Sequence, residues 1–140
     1  MNRISIRLTV LALAAGFATA AMSQDLAGSW TLQITNLEHR EISSMTIRFS
    51  DERAPSCMAG NWKRVVVESA IATDRSFFPM SDPLSYSIEG SELTIGRNEV
   101  CDGYLQLHGK LDGERAQGSY SGFGISGGGQ LGHFSLRRAP

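Results

Sequence analysis

The chain has 140 residues, with 13 Lys plus Arg against 14 Asp plus Glu and 41% hydrophobic residues. This length holds one domain, and the composition is that of a globular protein rather than a disordered one. A net charge of −1 supplies no basic field for nucleic acid, and two cysteines are too few for a disulfide-framework miniprotein.

Residues 1–23 read as a secretory signal peptide. Arg3 and Arg7 form the positive region, and an apolar run begins at Leu8. Small residues then offer cleavage after Ala20 or after Ser23. The apolar run is short, alanine-rich and soon reaches Ser23-Gln24-Asp25, so no membrane anchor is expected once it is removed. No cysteine stands near the cleavage sites to carry a lipid. Loss of Arg3 and Arg7 leaves residues 24–140 more acidic than the whole chain. The expected location is the periplasm or the extracellular space. In such a compartment Cys57 and Cys101 are expected to pair. The bridge would close a loop of roughly 45 residues, worth about 4 kcal/mol on a chain-entropy reckoning.

Beyond the leader, apolar residues recur with period two. Trp30, Leu32 and Ile34 alternate with polar neighbours, and so do Met45, Ile47 and Phe49. Trp62 to Glu68 carries the β-branched run Val65-Val66-Val67. Leu84 to Ile88 and Leu93 to Ile95 flank a Glu89-Gly90-Ser91 turn. In Tyr104 to Leu111, residues Leu105, Leu107, Gly109 and Leu111 share one face, and Asp112-Gly113 then makes a hairpin turn. Ala116 to Ser121 and Leu131 to Arg137 complete about eight strands. Ser69 to Pro83, with Phe77-Phe78-Pro79-Met80, fits a long loop, a short helix or a partly buried lid. Eight short strands bury their apolar faces by curling into a barrel or packing as a sandwich. The expected fold is all-β, a single-domain antiparallel small β-barrel with one disulfide.

Gly28-Ser29-Trp30 opens the first strand and resembles the G-x-W of the calycins, the lipocalin and avidin group of ligand-binding barrels. The resemblance implies a barrel whose floor is closed by Trp30, with Arg137 or Arg138 stacked on the indole. Asp102-Gly103-Tyr104 does not reproduce the second lipocalin motif, and the chain is short for a lipocalin. Its size is closer to avidin-like barrels, or to the small disulfide-bearing barrels that resemble bacterial periplasmic inhibitors of proteases and lysozyme.

Gly122-Phe123-Gly124-Ile125-Ser126-Gly127 matches G-x-G-x-x-G. A dinucleotide site needs that motif between a strand and a helix, but more glycine and another strand follow here. The stretch Gly122–Gly129 is instead expected to be a long, flexible hairpin loop. Phe123, Gly124 and Ile125 would contact a partner. Trp30, Trp62, Tyr86 and Tyr120 could line an interior cavity, since an aromatic with a polar tip suits a pocket wall. The spacing of His39, His108 and His133 does not bring them together, so no metal and no cofactor is expected. The acidic residues fall mostly in turns, and neither Ser-His-Asp ordering nor Gly-x-Ser-x-Gly is present. The expectation is therefore an exported, non-catalytic binding protein. It would hold a small, partly apolar ligand or a protein partner. The alternative is an inhibitor of a protease or lysozyme acting through surface loops, and an enzyme comes third.

Overall fold

The computed structural model describes residues 24–140; the leader assigned to residues 1–23 lies outside the described residues. Eight antiparallel strands form a closed barrel in chain order. They are β1 (Ser29–Asn36), β2 (Glu41–Arg53), β3 (Lys63–Ala72) and β4 (Leu84–Glu89), then β5 (Glu92–Arg97), β6 (Tyr104–Asp112), β7 (Arg115–Gly124) and β8 (Gly127–Arg138). β8 closes on β1, with Trp30 opposite Arg138 and Asn36 opposite Gly132.

The period-two residues fill the interior. Trp30, Leu32 and Ile34 meet Met45, Ile47 and Phe49, then Leu93, Ile95, Leu107, Leu111, Phe134 and Leu136 in one buried cluster. Full burial of each large apolar side chain contributes about 1.5–3 kcal/mol. On the inward face, Gly109 and Gly118 stand opposite each other. A Cβ on Gly118 would lie 2.0 Å from the His108 carbonyl oxygen, so only glycine lets the wall bend this tightly.

The barrel has two unlike ends. One, the Trp30 end, holds the start of β1, residues 54–62, the turns at 90–91 and 113–114, and the end of β8. The other, the plug end, holds residues 37–40, 73–83, 98–103 and the turn at 125–126.

At the plug end, β4 begins only at Leu84, opposite Val65. The rest of β3 therefore has β2 on one side and no strand on the other. Residues 73–83 cover that gap and send Phe78 and Met80 into the core cluster, with Phe77 packed against it. Of the stretch read as Ser69 to Pro83, residues 69–72 belong to β3, and of the three forms open to it the partly buried lid describes residues 73–83.

The expected long loop at Gly122–Gly129 is not one. β7 and β8 stay paired to Gly124 opposite Gly127, leaving the two-residue turn Ile125-Ser126. Gly127 has φ +110°, which an L side chain rarely adopts. Glycines carry no side chain to reveal alternation, so the strand pattern is silent where the strands continue.

Cys57 and Cys101 form the expected disulfide, 44 residues apart in sequence. It pins residues 54–62 along the outer wall. The Cys57 amide donates to the Asn98 carbonyl at 2.9 Å, and Gln106 donates to the Met58 sulfur. Beneath them Asn98 is buried and donates to Ser85 Oγ at 2.8 Å.

Candidate functional site

The four aromatics considered for a cavity wall lie in two settings. Trp30, Tyr86 and Tyr120 are all buried within the core cluster. Trp62 is buried outside that cluster, and its indole N–H donates to the Ala59 carbonyl within its own loop. Its burial depends on the disulfide-pinned segment, which alternation along β3 does not reveal.

Trp30 closes its end of the barrel. The Arg138 guanidinium lies 4.6 Å from the centre of the indole ring, a contact worth on the order of 1 kcal/mol. Arg138 also donates to the carbonyls of Asp25 and Ala27, while the Trp30 N–H donates to the Leu26 carbonyl. The residues before β1 are thus strapped across this end. Beside the strap lies an open cleft of about 870 Å³, lined by Leu26, Phe49, Asp51, Lys63, Tyr86 and Ile88 among others. Two of its charges are paired with each other. Lys63 donates to Asp51 at 2.8 Å. This hydrogen bond holds the Asp51 carboxyl below its ordinary range and raises the Lys63 ammonium. Burial raises the Tyr86 phenol, which donates to the Ser50 carbonyl.

The plug end is built differently. Tyr120 rises from β7 between Phe77 and Phe78, edge-on to both, with ring centres 5.2 and 5.5 Å away. Its hydroxyl donates to the Phe77 carbonyl. Burial pushes the Tyr120 phenol up to about 12, with the Arg97 charge opposing the rise. Arg97, at the end of β5, bonds Asp82 at 3.1 Å and the Gly103 carbonyl at 2.6 Å. Its Nε is buried without an acceptor.

Around this plug stand the exposed large hydrophobic residues: Leu37, Ile71, Val100, Phe123, Ile125 and Leu131. All six belong to the plug end. Ile125, at the tip of the β7–β8 turn, is 87% exposed, and Ile71 is 79% exposed. Phe123 packs on Tyr104 at 5.2 Å, so its ring is held in place at the rim. Gly124 precedes the turn and pairs with Gly127, which makes it part of the hairpin's support.

The histidines also differ from their sequence spacing. His39 and His133 stack face to face, ring centres 4.3 Å apart, because β1–β8 closure sets the end of β1 beside Gly132. His108 lies elsewhere, bonded to Thr94 across the β5–β6 pair. Among the described residues no group of three or more metal-ligating side chains converges. No described helix is long and apolar enough to cross a membrane.

The class defined by this fold is a closed, eight-stranded antiparallel β-barrel with one disulfide. Comparison with known proteins returned no matching family model, no matching curated protein and no matching solved structure.

Proposed function

We propose that this protein is an exported, non-catalytic binding protein that engages a protein partner through the rim of its plug end. The observation that carries the reading is the placement of Ile125, Phe123, Val100, Leu131, Leu37 and Ile71 on one end of the barrel. Scattered exposed hydrophobic residues need no explanation, but apolar side chains gathered at one end are typical of an interaction surface. Ile125 sits on a short, strand-supported turn, so little conformational entropy is lost when it is buried. An inhibitor of an envelope or host hydrolase, inserting this turn into a cleft, is one form of the same reading. The disulfide suits an oxidising compartment. Gly28-Ser29-Trp30 and the Arg138 stack support a calycin-like ancestry.

The test is capture from an envelope extract of the producing cell by the wild-type protein, by Ile125→Asp and by Glu114→Ala. Glu114 lies at the Trp30 end. Loss of the captured protein with Ile125→Asp alone supports the reading. Equal recovery by all three proteins removes the rim from it.

A further inference from the structure

Three cations that take no part in the ion pairs of the barrel share one outer wall. Lys110 on β6, Arg115 on β7 and Arg137 on β8 are all exposed. Among the described residues, none of the three lies within ion-pair distance of a carboxylate. The strand register sets two of them side by side. The Arg138 amide donates to the Glu114 carbonyl, so Glu114 and Arg138 are a hydrogen-bonded pair. Arg115 opposite Arg137 is the next pair along and is not hydrogen-bonded. At such positions antiparallel side chains approach most closely, with Cα atoms about 4.5 Å apart. Like charges placed directly opposite each other cost stability, so the fold gains nothing from these two guanidinium groups. Buried Ala116 and Leu136, beside them in the same strands, hold their backbone in the wall.

The surroundings have the composition of an anion site. Lys110 stands opposite Gln117, and Gln117 opposite Ser135, so a third cation flanks the arginines with an amide and a hydroxyl beside it. These residues line an open cleft of about 590 Å³ on the barrel wall. Its charged lining is Lys110, Arg115 and Arg137 with one carboxylate, Asp112, a net charge of +2. The other carboxylates nearby are engaged elsewhere: Glu114 with Arg138, and Glu92, opposite Lys110, with His108.

We infer that this cleft binds a phosphate monoester. A phosphate monoester carries close to two negative charges at neutral pH, matching the cleft, and its oxygens suit the fork of a guanidinium. Arg115 and Arg137 grip the phosphate together and Lys110 adds a third contact. Gln117 and Ser135 hydrogen-bond the alcohol that carries it. The site is independent of the apolar rim: it needs Arg115 and Arg137, not Ile125.

The test follows backbone amide NMR shifts at low salt while glycerol phosphate is added. Amides of Arg115 to Gln117 and Ser135 to Arg137 should shift together and saturate in the millimolar range. Methyl sulfate, with a single charge, should bind about tenfold more weakly. Arg115→Ala and Arg137→Ala should each weaken glycerol phosphate about tenfold, and Arg115→Lys less, because a lysine keeps the charge without the fork. None of these variants should lower the unfolding midpoint of the free protein, and Ile125→Asp should bind as the wild type does. Phosphatidylcholine vesicles with and without phosphatidic acid separate the sources. Binding only to the phosphatidic acid vesicles places the phosphate on a lipid, and glycerol phosphate binding without vesicle binding places it on a soluble ester; either result keeps the cleft. No saturable shift at these amides, equal binding of methyl sulfate, or unchanged binding by the arginine variants overturns the inference.

Discussion

The two ends of this barrel are closed by different means. At the Trp30 end the closing groups belong to strands. Trp30 opens β1, Arg138 ends β8, and the strap across them is held by hydrogen bonds to the carbonyls of Asp25, Leu26 and Ala27. Three surrounding cations are paired: Arg138 with Glu114, Lys63 with Asp51, Arg48 with Glu68. At the plug end a segment without strand pairing supplies the closure through side chains, and the rim is apolar. The first arrangement secures the fold. The second leaves an apolar rim exposed, and it is the end to which we assign binding of the protein partner.

The contrast can be broken most sharply at Trp30. Trp30→Ala removes a fully buried side chain with its stack and its hydrogen bond, and should cost about 3–5 kcal/mol. Urea unfolding followed by circular dichroism reads this directly. A loss below about 1 kcal/mol, the size of a minor surface change, would mean that this end does not secure the barrel.

Tyr120 offers a test at the plug end. Its phenol sits at about 12 in the folded protein, above the roughly 10 of an unfolded tyrosine. The folded state therefore keeps a proton that the unfolded chain releases. Stability is complete below pH 10 and falls as pH rises towards 12, by about 3 kcal/mol in all. Denaturant midpoints between pH 9 and pH 12 should show the slope, and Tyr120→Phe should lose most of it. Tyr86, raised by burial, and Lys63, raised by its hydrogen bond to Asp51, act in the same direction and share the remainder.

Smaller effects follow. Arg138→Ala forfeits the stack on Trp30 and two carbonyl bonds, about 2 kcal/mol in thermal unfolding. Ile125→Asp should change stability by less than about 0.5 kcal/mol, because nothing packs on a solvated turn tip. A large loss there would show that Ile125 belongs to the fold rather than to a binding surface.

Much of the architecture was legible in the sequence. Alternation marked most of the strand cores, because each has one face inside and one outside, and a β-branched run marked β3. It failed in three places for physical reasons. β2 begins at Glu41, before its apolar pattern, because buried Ser43 takes an inward position and hides the period. β7 and β8 run through glycines that show no face. Trp62 is buried by a segment held in place by the disulfide and by hydrogen bonds with Asn98 and Gln106, none of which alternation reveals. At the plug, the sequence marked Phe77-Phe78-Pro79-Met80 as unusual, but period-two reasoning describes strands and says nothing of a segment folded inward between them. The meeting of Arg97 and Asp82 depends on that fold-back, and the stacking of His39 on His133 depends on barrel closure. Neither leaves a signal in local spacing.

The division between a strand-anchored end and a side-chain-held end is tested most directly by native-state amide hydrogen exchange at increasing low denaturant. Amides in residues 74–83 should exchange through openings whose free energy barely changes with denaturant. Amides of β1 and β8 around Trp30 and Leu136 should exchange only with global unfolding and follow its full denaturant dependence. If both regions share one opening free energy and one denaturant slope, the plug is part of the same cooperative unit, and the two ends are not divided as described.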